Sequence, residues 1–190
     1  MNDPSLRHTT QSELYARNAS RLAELFFPNL DELGRFEPAS VDDLPVDYRA
    51  LLAHHDHMTV ALEAWHNSLV DIEALDEWRD EASYARASLL RRQSDGRIIQ
   101  FGIMRIWLGD LPESAQAEIR AKRHPLGRVL IRHNLLREVE VLTLWRITPG
   151  PVLCKFLQID GGSPIFGRSA QILVDERPTV QVLEIVTLAD

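Results

Sequence analysis

The chain has 190 residues, 45% of them hydrophobic, which suits one globular unit with a substantial core. Its formal net charge of −7 opposes both phosphate backbones and anionic lipid headgroups, so nucleic acid is a poor partner. No apolar run approaches the roughly 20 residues that span a bilayer, and the polar N-terminus lacks a signal-peptide core, giving no membrane partner and a cytoplasmic expectation. The one cysteine, Cys154, forms no internal disulfide and reads as a small core residue.

Leu14, Ala19, Leu22 and Leu25 or Phe26 fall near helical spacing, which predicts a helix over 10–26 with Thr10 or Ser12 as cap and Pro28 as stop. Residues 29–45 carry acidic groups, Gly34, Pro38 and Pro45 with little periodicity, and read as a surface arm or lid. Residues 1–45 are therefore an N-terminal helix and connecting arm, and 46–190 the main domain. A short helix is expected over 46–53, and helical spacing resumes at Met58.

Between those helices stands His54-His55-Asp56-His57, whose imidazoles and carboxylate are metal-ligand types. One turn of chain rarely lets three such side chains converge on one ion, and no second group of ligands lies nearby in sequence. No metal is expected.

From Leu69 the apolar period becomes two, predicting strands over 69–75 and 84–92. Ser94-Asp95-Gly96 is a tight-turn signal because glycine supplies positive φ, and 97–107 returns antiparallel. Gly109-Asp110-Leu111-Pro112 ends the sheet, and 113–123 reads as a helix with Pro112 near its first turn and Glu113 at the positive end of its dipole. Further strands are expected over 139–147, 152–159, 165–174 and 180–188, with turns at Thr148-Pro149-Gly150 and Asp160-Gly161-Gly162-Ser163-Pro164. The fold class is α+β: an antiparallel sheet of about six strands with helices on one side. Asp95-Gly96 leads into Phe101-Gly102 much as Asp160-Gly161 leads into Phe166-Gly167, so an approximate duplication of one hairpin is expected, the two halves facing a common cleft.

Tyr84-Ala85-Arg86-Ala87-Ser88-Leu89-Leu90, Phe101-Gly102, Leu111-Pro112, Pro125-Leu126-Gly127-Arg128 and Gly162-Ser163-Pro164-Ile165, preceded by Met58-Thr59, stand in an order that resembles the chorismate pyruvate-lyase family. The likeness covers about 57–174, and the effector-binding UTRA domains share much of it. The resemblance implies a chorismate lyase-like fold around a small buried pocket, and elimination of pyruvate from chorismate to leave 4-hydroxybenzoate, with no metal or organic cofactor. By the same resemblance Arg86 pairs with a ligand carboxylate, Leu126 supplies a wall, Met58 borders the ring and Gly102 leaves room for it. An aromatic carboxylate does need a mainly apolar cavity with one cation. From the residues alone, Arg86 among Arg91, Arg92 and Arg97 reads equally well as an exposed strand arginine paired with an acid.

The chain departs from the family pattern where a catalytic glutamate is expected. Counting from Pro164 reaches Ser169, Ala170 or Gln171, none of which titrates as a general acid, so Ala170 and Gln171 are carried as binding positions only. Glu184 is the remaining candidate acid, conditional on a strand register that the sequence leaves open. Two functions follow: a chorismate lyase-like enzyme, or a noncatalytic UTRA-type domain binding a small aromatic carboxylate. The sequence indicates no oligomeric state.

Overall fold

The computed structural model describes residues 11–135 and 138–188, and for 11–16 the backbone alone. The expected Thr10 cap lies outside the described residues. Helix α1 (Gln11–Ala23) leads through a short arm into strand β1 (Gly34–Ala39), then helices α2 (Val46–Leu52) and α3 (Met58–His66). Three strands follow, β2 (Val70–Arg79), β3 (Tyr84–Arg92) and β4 (Ile98–Ile106), then helices α4 (Glu113–Ala121) and α5 (Leu126–Arg132). Strand β5 (Glu138–Pro149), helix α6 (Pro151–Leu157), and strands β6 (Ile165–Val174) and β7 (Arg177–Val186) complete the order.

The seven strands form one antiparallel sheet in the order β1-β5-β6-β7-β4-β3-β2. The α+β expectation holds, with one strand gained over the expected set and one expected strand, 152–159, lost to a helix. The additional strand is β1, inside the segment read as a surface arm. It lies at the sheet edge against β5, where Pro38 costs no ladder bond to a further strand. The opposite edge, β2, carries Asp71, Glu73, Asp76 and Glu77, and such charges oppose pairing with another chain.

Helices cover both faces, not one. On the first face α1 and α6 bury Ala19, Leu22, Leu153 and Leu157 against Phe101, Ile103, Leu183 and Ile185. Each such fully buried large side chain contributes about 1.5–3 kcal/mol. On the second face α2 and α3 pack over one end of the sheet and α4 and α5 over the other. Strand alternation produces this: each central strand is apolar on both sides, so each face needs its own cover.

Residues 152–159, read as a strand, are instead largely α6. Val152, Cys154 and Phe156 alternate, but Leu153 and Leu157 are the buried pair at helical spacing. Gly150 at the N-cap, Pro151 at the first helical position and Gln158 in the left-handed region (φ 58°) frame the helix. A seven-residue run satisfies either period, and packing decides. The duplicated hairpin changes accordingly. Strands β3 and β4 do form a tight hairpin around Asp95-Gly96, but β5 reaches β6 through a helix, and Asp160-Gly161 is the exit of that helix. What repeats is a three-stranded antiparallel meander, β2-β3-β4 and β5-β6-β7, joined where β4 pairs with β7.

Candidate ligand-binding site

The β4–β7 junction is the floor of a cavity on the second face. Pairing registers place three rows across β3, β4 and β7: Arg86, Met104 and Val182; Ser88, Gly102 and Glu184; Leu90, Gln100 and Val186. Same-face positions along a strand are spaced by about 7 Å, so Arg86 and Gln100 stand at opposite ends of the floor with Gly102 between them. A Cβ on Gly102 would approach the Gln100 side chain to 3.0 Å. Glycine there keeps the middle row low.

The roof comes from the first turns of α3 and α5. Gly127 lets them approach, since a Cβ there would meet Thr59 Oγ1 at 3.0 Å and His57 Cβ at 3.3 Å. An ion pair between Glu63 on α3 and Arg128 on α5 ties the two helices together. The cavity between floor and roof, partly open to solvent, is about 60 Å³. That is roughly the share of two water molecules, so a ring-sized ligand requires the roof side chains, Met58 and Leu126 among them, to move outward. Methionine, with three rotatable bonds, does this at low cost.

Arg86 is 1% exposed. Nη1 makes a long donation to the Ile119 carbonyl at 3.5 Å, the Tyr84 hydroxyl lies within hydrogen-bonding reach of the guanidinium, and Nε is buried with no acceptor. Burial pulls its pKa down, opposed by the Tyr84 phenol and the Glu77 carboxylate. Glu77 is already engaged by Lys122, Arg79 and Tyr84. Burial also raises Tyr84 to about 12, so its hydroxyl stays protonated and donates to Glu77 at 3.1 Å.

Two further polar side chains in the wall are incompletely satisfied. Gln100 is 7% exposed with Oε1 unpartnered, and His57 is 4% exposed with Nε2 unpartnered. Burial, aided by the nearby Arg168 charge, lowers His57 to about 4, leaving a neutral imidazole near pH 7. The other members of the histidine run turn elsewhere: His54 Nε2 bonds the Leu51 carbonyl at 2.7 Å and His55 Nδ1 the Val139 carbonyl at 2.9 Å.

Glu184 faces the cavity and accepts from Arg168 Nε at 2.7 Å. Arg168, 1% exposed, also donates to the carbonyls of Leu52, His54 and Asp56 at 2.9–3.4 Å, pinning the α2–α3 connection. Arg168 is thus a structural clamp that keeps one Glu184 oxygen occupied.

Of the residues singled out from the sequence, Met58, Arg86, Gly102, Leu126 and Glu184 line this one cavity. Ala170 and Gln171 do not. Ala170 is buried one strand beyond Val182 among the residues under α4 and α5. Gln171, its neighbour on an alternating strand, points to the other face, where it donates to Glu140 at 2.5 Å. His57, Gln100 and Arg168 were missed as site residues. A glutamine inside the otherwise apolar run Ile98–Ile103 was the available signal for Gln100; nothing local distinguished Arg168 from a surface arginine.

The fold is the chorismate lyase-like α+β fold of bacterial regulator effector domains. No family model matches the sequence, and no curated protein does. Among solved structures, the effector domain of PhnF from Mycobacterium smegmatis aligns with TM-score 0.56 at 14% identity, covering 70% of this chain and 89% of that domain. The longer PhnF structure gives 0.55 at 12% identity, and the alignment spans 64% of that chain and 70% of this one. The ligand-binding domain of a putative GntR-family transcriptional regulator from Bordetella bronchiseptica gives 0.50 at 10% identity, covering 63% of this chain and 86% of that one. Identities this low establish a shared fold. No described helix is long and apolar enough to cross a membrane.

Proposed function

We propose that the protein is a noncatalytic domain that binds a small carboxylate, with Arg86 as its anion clamp. The observation that carries this reading is a guanidinium buried in a cavity wall with no carboxylate in contact among the described residues. A buried cation is costly unless paired, and a carboxylate ligand supplies the missing partner through bidentate hydrogen bonds. The names of the structural neighbours, an effector domain and a ligand-binding domain, support binding over elimination. The lyase reading lacks a free acid: positions 169–171 hold none, and Glu184 is engaged by Arg168.

Calorimetric titration with 4-hydroxybenzoate, beside incubation with chorismate and a coupled pyruvate assay, tests the reading. Saturable binding that Arg86→Met weakens at least about tenfold, with no pyruvate released, is the expected result. Pyruvate release that Arg86→Met abolishes would restore the lyase. No binding and no rise in melting temperature at millimolar ligand would remove the carboxylate site.

A further inference from the structure

We propose a second subsite at Gln100, two rows from Arg86 in the same cavity and with His57 in its lining, which selects acids carrying a hydrogen-bond donor such as a hydroxyl or amine at their far end. The inference deepens the carboxylate reading and rests on it for the anionic end alone. Buried polar atoms are almost always paired, so two orphans on one cavity wall mark positions that a ligand completes. The first is Gln100 Oε1, an acceptor in the third row of the floor. The second is His57 Nε2, on the residue preceding α3 and beside Gly127 at the start of α5, in the lining of the same cavity.

The chemistry at this end is neutral. Imidazole and amide groups exchange single hydrogen bonds with a neutral polar group, whereas a second ligand anion would face the Glu184 carboxylate in the adjacent row. The register sets the shape. Arg86 and Gln100 lie two rows apart, and the Gln100 amide nitrogen reaches over Gly102 into the row between them, which shortens the gap a ring or short chain has to span. A carboxylate at one end accepts from Arg86 Nε, and a hydroxyl or N–H at the other donates to Gln100 Oε1.

Four probes separate the two ends: benzoate, 3-hydroxybenzoate, 4-hydroxybenzoate and phenol, titrated calorimetrically into wild-type protein, Gln100→Leu and Arg86→Met. The expected result is that one hydroxybenzoate binds wild type at least about fivefold tighter than benzoate, the value of one added hydrogen bond. That preference disappears in Gln100→Leu. Equal binding of benzoate and both hydroxybenzoates to wild type, which needs no variant, overturns the subsite. So does a preference that survives in Gln100→Leu. If the acids bind no better than phenol and Arg86→Met changes nothing, the anion reading fails; phenol binding that depends on Gln100 then still supports the subsite. If no probe binds, both fail.

Discussion

Arg168 and Glu184 face each other across β6 and β7 as an ion pair, Nε to Oε2 at 2.7 Å, with the guanidinium buried and the carboxylate half-buried at the cavity, and the same guanidinium holds three carbonyls of the α2–α3 connection. One side chain thus fixes a cavity-wall carboxylate and the segment that delivers His57 and Met58 to the roof. Removing one partner of such a pair leaves the other charge buried and uncompensated. Arg168→Met is expected to cost about 3–5 kcal/mol in urea denaturation. Arg168→Met combined with Glu184→Leu should recover part of that loss. A double variant as unstable as the sum of the two singles would mean that the carbonyl contacts, and not the pair, account for the effect.

Arg86 has the opposite expectation. It carries a buried charge that the unliganded protein satisfies poorly, so an apolar replacement of similar length removes a penalty as well as a contact. Arg86→Met is expected to be at least as stable as wild type without ligand, and to lose the stabilisation that a bound carboxylate confers. A loss above about 2 kcal/mol in the unliganded protein would make the guanidinium a structural group.

His57 gives a pH signature. Its pKa falls from 6.5 unfolded to about 4 folded, so between those values the unfolded chain binds more protons than the folded one. The stabilising contribution is complete above pH 6.5 and is lost as pH falls toward 4. The full effect is on the order of 3 kcal/mol. His54 and His66 are lowered too and add in the same direction. Carboxylates lowered by partners, such as Glu77 and Glu118, act below that window. Subtracting the stability profile of His57→Gln from that of wild type isolates the His57 part; parallel profiles between pH 6.5 and 4 would contradict its burial as a neutral imidazole.

Gly167 tests the sheet beneath the pair. A Cβ there would meet the Glu184 carbonyl oxygen at 2.5 Å and Ile185 Cα at 3.2 Å, both backbone. Backbone in the middle of a seven-stranded sheet cannot step aside cheaply. Gly167→Ala should therefore destabilise by about 1–3 kcal/mol although alanine suits a strand no worse than glycine. Thermal unfolding unchanged within about 0.5 kcal/mol would show that β6 and β7 separate more easily than their pairing implies.

Much of this architecture was legible where local chemistry acts within a few residues. The Ser94-Asp95-Gly96 turn fixed the β3–β4 hairpin, and Pro112 and Glu113 marked the start of α4. Where two local periods fit equally, the reading failed. Residues 152–159 alternate like a strand yet fold as α6, because Leu153 and Leu157 reach the core only from a helix. The arm held an edge strand because β5 offered Gly34–Ala39 a free ladder, which no pattern inside those six residues announces.

The site divides in the same way. Sequence by itself determined which residues can carry chemistry: an arginine in a strand otherwise fit for burial, a glycine in the next strand, and no acid at 169–171. It also determined, through alternation, that Arg86, Ser88 and Leu90 share a face. Only the tertiary structure decided that this face is roofed by α3 and α5, that Glu184 turns inward but is held by Arg168, and that Gln171 turns away. It alone placed Gln100 and His57 on the wall that Arg86 occupies. The physical reason is register and burial. Both are set by contacts between strands and helices far apart in the chain, and a shift of one residue in any pairing exchanges every inward side chain for its neighbour.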